Sequence, residues 1–190
     1  MSITTTPEGG RRLSTTKANS RERILAAAAE VARNAGPGSL SLDAIAHQAG
    51  VSKGGLLYNF PSKAKLLQGL VEKHLAEMEQ SLDAAAARGE PLLAAYMRLM
   101  KSSSVEDRPP ASWIFSAIAE DPEFLAPINQ FRRRLLARLR AETDDRAGVL
   151  VAFFAMEGLQ CMKLFDDELL DAEDRRLLIE RAHEVAGGGS

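Results

Sequence analysis

A chain of 190 residues with an ordinary apolar share has room for one substantial core, or for a small head and a larger body. No apolar run approaches the roughly 18 residues of a membrane span. The N-terminus lacks the apolar stretch of a secretory leader, and the single cysteine, Cys161, cannot close an internal disulfide, which fits a reducing cytoplasm. The formal net charge of −2 argues against a nucleic-acid binder until its distribution is considered. Residues 1–75 hold ten Lys/Arg against five Asp/Glu, and the remainder 14 against 21. A basic head on an acidic body is the electrostatic footprint of a surface for polyanions.

Residues 1–19 are rich in Thr, Ser and Gly without periodicity, and are expected to be a disordered tail. Arg11, Arg12 and Lys17 are read as solvated, with entry into a minor groove as the alternative. Ser20 is expected to cap a first helix, Arg21 to Asn34, packed through Ile24, Ala27, Ala28, Val31 and Ala32. Gly36, Pro37 and Gly38 end it. The stretch Ser39 to Leu67, SLSLDAIAHQAGVSKGGLLYNFPSKAKLL, then reads as two short helices, a tight turn and the start of a third helix. Ser41 precedes the stripe Leu42, Ile45, Ala46 and Ala49 and is placed to cap it, with Asp43 favourable in the first turn. Gly50 ends the helix by taking the left-handed conformation. Val51 and Leu56 are apolar plugs, Ala46 allows close passage, and Ser52 caps the next helix, as a helix-turn-helix requires.

That next helix, Lys53 to Asn59, carries Gly54 and Gly55 in its first turn, each costing roughly 1 kcal/mol relative to Ala. The cost is understandable where backbone must approach another surface. Lys53, Tyr58, Asn59 and Lys63 supply donors suited to phosphate oxygens. Pro61 stops the helix, and Ser62 caps a third helix whose N-terminus, with Lys63, is an anion site.

The run AIAHQAGVSKGGLLYNFPSKAKLL resembles the signature of TetR-type (tetracycline-repressor-like) transcriptional regulators, typified by IAxxAGVSKGxLYxxFxSKxxLL. The resemblance covers about Ser20 to Leu75. Leu57 stands where many members carry Tyr, which shifts phosphate contact towards Tyr58, and Asn59 replaces the usual His or Tyr. The resemblance implies an all-α chain: a disordered tail (1–19), a three-helix DNA-binding head with helix-turn-helix (20–75), a helical ligand-binding and dimerisation body (76–186) and a flexible end (187–190). It implies double-stranded operator DNA as partner, contacted through Ser41, Ser52, Lys53, Gly54, Gly55, Tyr58, Asn59 and Lys63.

From Lys63 a long helix to about Ala87 keeps a stripe of Leu66, Leu67, Leu70, Val71, Leu75, Met78 and Leu82. It begins in the head and ends in the body, a natural lever between them. His74 has no companion at ligand spacing, so no metal is expected. Pro91 to Lys101 is expected to be helical, followed by a polar loop, Ser102 to Arg108. Pro109-Pro110 opens a helix with Trp113, Ile114, Phe115 and Ile118. Asp121-Pro122-Glu123 is a start signal for a helix reaching about Glu142. Its Arg132, Arg133, Arg134, Arg138 and Arg140 are read as a solvated face paired with acidic neighbours, with a second polyanion site as the alternative.

Ala147 to Phe165 is apolar nearly all round, so it must be covered on more than one side. Asp171 caps a last helix bearing Leu177, Leu178, Ala182 and Val185. The family resemblance makes these two helices a dimer interface, with Phe153, Gly158, Gln160, Leu164, Leu178, Ala182 and Val185 as its expected residues. It also implies a small-molecule effector site, for which Met78, Met97, Trp113, Phe115, Phe131, Phe154, Glu157 and Cys161 are the candidate lining. Met is an adaptable gap-filler, and such a lining suits a lipophilic or aromatic compound. Glu157 would favour cations if it faces that site, or make a hydrogen bond if it faces a partner. No catalytic constellation, phosphate loop or cofactor motif is evident, so no enzyme is expected. The expected function is a homodimeric, effector-released repressor without cofactor or membrane partner, controlling drug efflux or a catabolic gene. The competing reading is a constitutive architectural DNA binder, or a regulator controlled by a protein partner.

Overall fold

The computed structural model describes the backbone of residues 9–34, 41–102, 111–165 and 169–186, with side chains for all of these except 9–18, 33–34, 102, 111–113, 163–165 and 186. Among the described residues every regular element is a helix. They divide into two compact units, Met1–Leu70 with Glu106–Phe124, and Val71–Val105 with Leu125–Ser190.

In the first unit, α1 runs Gly9–Asn34, so the expected disordered tail is helical from Gly9 onward and Ser20 lies inside the helix instead of capping it. No proline occurs between Pro7 and Pro37, and a stretch containing Arg, Lys and Ala sustains the backbone ladder once nothing blocks it. Helices α2 (Leu42–Gln48) and α3 (Lys53–Asn59) follow, then α4 (Lys63–Ala87), which starts in this unit. Ile24, Leu25, Ala28, Ile45, Ala46, Leu56, Phe60, Leu66 and Leu67 are the buried core. One close approach escapes a reading by periodicity. A Cβ on Gly69 would lie 2.8 Å from Phe60 Cε1 and 3.2 Å from Leu25 Cδ2, so α4 sits here at glycine distance.

Helix α6 (Ala111–Glu120) groups with this unit and not with the body in which the sequence reading places it. Two polar links tie its end to α4: Lys65 Nζ stands 2.7 Å from Asp121 Oδ2, and the Gln68 amide approaches the Glu123 carbonyl at 3.5 Å. The start signal at Asp121 is used as expected, its carboxylate accepting from the Glu123 N–H at 3.0 Å. The first turn, Pro122–Leu125, is nevertheless a tighter 3₁₀ turn, and the α-helix begins only afterwards.

The second unit holds the rest of α4 with α5 (Leu92–Ser102), α7 (Ala126–Ala141), α8 (Arg146–Phe165) and α9 (Ala172–Ala186). Helix ends are satisfied by side chains of the flanking turns. The Leu92 N–H donates to the Glu142 carboxylate at 3.0 Å, the Gly148 N–H to Asp145 at 2.9 Å, and the Asp174 N–H to Asp171 at 2.8 Å. At Gly148 α8 and α9 lie close together: a Cβ there would lie 2.8 Å from the Val185 carbonyl oxygen. Leu82, Leu92, Tyr96, Met97, Phe131, Leu135, Leu139, Ala152 and Phe153 are central to the buried cluster. Around it three of the five α7 arginines have acidic partners: Arg134 with Glu79 at 3.2 Å, Arg138 with Asp83 at 2.8 Å, and Arg132 with Glu157.

Candidate DNA-contacting surface and the body site

The turn between α2 and α3 is built by glycine. Gly50 has φ +61°, its N–H returns to the His47 carbonyl at 3.0 Å, and the Val51 N–H returns to Ala46 at 3.0 Å. These two bonds make a Schellman ending, which requires a left-handed residue at that position. Arg23 of α1 then donates to the carbonyls of Ala49 and Gly50, fastening the turn to the bracing helix. No sequence pattern singled out Arg23; a basic residue on the edge of a packing stripe looks like any solvated arginine.

Ser41 and Ser52 cap as expected, accepting from Ala44 N–H at 3.2 Å and Gly55 N–H at 3.0 Å. Leu56 is completely buried and plugs the angle between the helices. The opposite face of α3 is open. Lys53 and Gly54 are exposed there, Leu57 is 38% and Tyr58 72% exposed.

The two glycines of α3 differ in their surroundings. A Cβ on Gly55 would lie 3.3 Å from Ser52 Oγ, so its smallness serves the cap. A Cβ on Gly54 meets only Ser52 Oγ, at 4.0 Å. Among the described residues nothing asks for glycine at that position. Lys53 Nζ lies 3.0 Å from Asp43, but both side chains are more than half exposed. Such a pair is weak and easily exchanged. Asn59 departs from expectation. Its side chain folds back on its own helix, the amide donating to the Gly55 carbonyl at 2.8 Å, so that donor is occupied within α3. Lys63 stands half-exposed in the first turn of α4, where Ser62 accepts from the Lys65 N–H at 3.2 Å.

In the body some residues expected as lining are exposed, and some expected at an interface are buried within the chain. Met78, Met97 and Phe131, the buried members of the expected lining, are packed in the core cluster. Phe154 and Cys161, expected inside, point outward, Phe154 being 61% exposed. Phe153, expected at an interface, is buried and stacks on Tyr96 with ring centroids 5.9 Å apart. Ala182 is buried as well, and Val185 is half-buried. The reason is periodicity: on a helix apolar all round, adjacent residues face roughly 100° apart, and composition does not say which side faces the core. Gln160 also turns inward, donating to the Met100 carbonyl at 3.3 Å. Phe115 is exposed on α6, in the other unit. The side chains of Trp113 and Leu164 lie outside the described residues.

Glu157 is enclosed by its own chain. The Tyr96 hydroxyl donates to one carboxylate oxygen at 2.5 Å and the Arg132 guanidinium pairs with the other. Outward on α8 lie Val151, Phe154, Gly158 and Cys161, spaced three and four residues apart, with Leu177 and Leu178 exposed on α9. A Cβ on Gly158 would meet nothing within 4 Å.

Against known proteins, residues 24–70 match the family model of bacterial regulatory proteins of the tetR family, and residues 90–187, more than half of the chain, match that of the tetracyclin repressor-like C-terminal domain. The chain belongs to the TetR family of transcriptional regulators. The regulator's fold is similar to that of SCO7518 from Streptomyces coelicolor A3(2), assigned as a transcriptional regulator, with 25% identity, a TM-score of 0.59, and coverage of 88% of this chain and 98% of that one. It is also similar in fold to the multidrug binding protein EbrR complexed with malachite green, with 20% identity, a TM-score of 0.54, and coverage of 85% and 96%. No curated protein matches the regulator. Family members bind operator DNA and small-molecule effectors, and among the regulator's described residues no helix is long and apolar enough to cross a membrane.

Proposed function

We propose that this regulator is a cytoplasmic homodimeric repressor that seats α3 of each subunit in a major groove and releases its operator when a small lipophilic molecule occupies the body. The observation that carries the reading is the open face of α3, where Gly54 has no neighbour of its own to accommodate while Lys53 and Tyr58 stand exposed beside it. A glycine with no internal purpose, next to a cation and a hydroxyl, suits backbone pressed against a phosphate-lined groove. Lys63 at the start of α4 adds a second cationic grip. The exposed stripe on α8, with Leu177 and Leu178 of α9, supports pairing of two copies. Two-fold pairing would set the half-sites about one helical turn, roughly 34 Å, or modestly more apart.

The effector reading draws on the soft buried methionines of the body and on the malachite green bound by EbrR. Because α4 is one continuous helix with buried residues in both units, a body conformation preferred by ligand would change the setting of α3. Such coupling is reciprocal, so operator must weaken ligand binding by the factor by which ligand weakens operator binding.

The test is selection from a random duplex library followed by fluorescence anisotropy. The expected result is a two-fold symmetric site bound by a dimer, with affinity falling steeply as salt rises. No enrichment of any duplex over competitor, or a monomer at micromolar concentration by sedimentation, overturns it.

A further inference from the structure

Gln160 carries an acceptor that no described residue uses. Its amide nitrogen donates to the Met100 carbonyl at 3.3 Å. Met100 lies in the last four residues of α5, where carbonyls have no partner within the helix. The bond therefore serves a carbonyl that α5 leaves open. It also fixes the amide's direction, because the flipped amide would set one carbonyl against another. The remaining oxygen, Oε1, is buried and has no hydrogen-bond partner. Buried amide oxygens are nearly always paired, so one held in place without a donor calls for an occupant that supplies it.

The neighbourhood defines what that occupant can be. One turn back on α8, both oxygens of Glu157 are engaged by Tyr96 and Arg132, so its charge already has a counter-ion. Met97, Met100 and Met156 belong to the same buried cluster and offer adaptable apolar contact. We propose that Gln160 Oε1 is the polar anchor of the body's ligand site, accepting a hydrogen bond from an O–H or N–H of an uncharged, otherwise apolar molecule. The inference rests on the ligand-responsive reading above and narrows it. A phenol, alcohol or N–H heterocycle satisfies Oε1. An ether or hydrocarbon of the same shape leaves it unpaired, and the site discriminates by that difference. A lipophilic cation gains nothing from Glu157, which is already neutralised.

The test measures binding of 2-naphthol and 2-methoxynaphthalene to the full-length protein by equilibrium dialysis, with indole and 1-methylindole as a second donor-and-methylated pair and malachite green as a cationic probe. Wild type is expected to prefer each donor over its methylated partner by roughly tenfold, the worth of one buried hydrogen bond. Gln160→Met should bring each pair to parity without weakening the methylated probes. Malachite green affinity should be unchanged by Glu157→Gln. Parity in wild type, a preference that survives Gln160→Met, or binding of none of the probes overturns the anchor. The two wild-type pairs decide the question even if the variant melts early by circular dichroism. Probes that bind without discrimination yet release operator in the anisotropy assay leave the ligand-responsive reading standing, whereas probes that bind and leave operator affinity unchanged count against that reading alone.

Discussion

Lys65 Nζ lies 2.7 Å from Asp121 Oδ2, linking the start of α4 to the residue that opens the turn after α6. The hydrogen bond from Lys65 is the main cause holding the Asp121 carboxyl below its ordinary value of 3.8, and the Glu123 N–H adds to it while partial desolvation opposes. A carboxyl depressed in the folded state binds protons more readily when unfolded. Its contribution is therefore complete above the unfolded value and disappears as pH falls through the folded one. Asp121→Asn should lower the melting temperature of the protein slightly at pH 7. The gap from wild type should close below pH 4, as measured by circular dichroism in low salt. A gap that stays constant with pH would mean that the ion pair adds nothing.

Gly50 and Gly54 predict opposite outcomes for the same substitution. Gly50→Ala forces a side chain onto φ +61° and places Cβ 2.8 Å from Arg23 Nη2. The left-handed conformation alone costs a non-glycine residue about 1–2 kcal/mol. Urea melts should show at least that loss, and DNA binding should fall with it because the turn that sets α3 is displaced. Gly54→Ala meets no atom closer than 4.0 Å and removes a glycine from the first turn of α3. It should stabilise the protein by up to about 1 kcal/mol. If α3 docks as proposed, operator affinity by anisotropy should nevertheless drop, because the new methyl would stand between backbone and groove. A Gly54→Ala protein with undiminished operator affinity would remove the close-approach argument.

Most of this architecture was legible because helix ends are written in side chains. Ser41, Ser52, Ser62 and Asp171 cap where their hydroxyls and carboxylate are expected to, and the bounds of α3 and α4 coincide with those read from glycine, proline and periodicity. The site was less legible, for physical reasons that differ from residue to residue. Asn59 is polar at the end of an exposed helix, yet the Gly55 carbonyl one turn back captures its amide. Phe153 and Phe154 are adjacent and identical in kind, and only packing decides that one stacks on Tyr96 while the other faces out. Glu157 reads from sequence as open to either a ligand or a partner subunit, because Tyr96 and Arg132, which engage it, lie far away in sequence.

Gly148 shows the same dependence on distant partners and gives a stability prediction. A Cβ there would fall 2.2 Å from the Asp145 carboxylate that caps α8 and 2.8 Å from the Val185 carbonyl of α9. The Asp145 side chain can turn away at the expense of the cap, but backbone at Val185 cannot move without separating α8 from α9. Gly148→Ala should destabilise by about 1–3 kcal/mol, the usual range for overpacking, seen as a lower urea midpoint. Gly158→Ala has open space within its own chain and removes a glycine from the interior of α8, so it should instead raise the midpoint of the monomeric unfolding step, by up to about 1 kcal/mol in stability.

Phe154 decides whether the outward stripe on α8 is an interface. Its ring is 61% exposed and meets Phe153 edge-on at 5.4 Å, so little of its apolar area is removed from water within one chain. Covered by a second copy, the same ring would become a central anchor, where truncation or charge typically costs 2 kcal/mol or more, about 30-fold in dissociation constant. Phe154→Glu should therefore leave the helical circular dichroism spectrum intact, because the side chain already stands in water in the isolated subunit. It should shift sedimentation towards monomer by at least that factor. Operator affinity should fall in parallel, since a monomer presents one α3 where two are needed for a two-fold site, and it should recover as protein concentration is raised past the new dissociation constant. Affinity that falls without a change in sedimentation would place the effect in the subunit itself and remove the stripe as the basis of pairing.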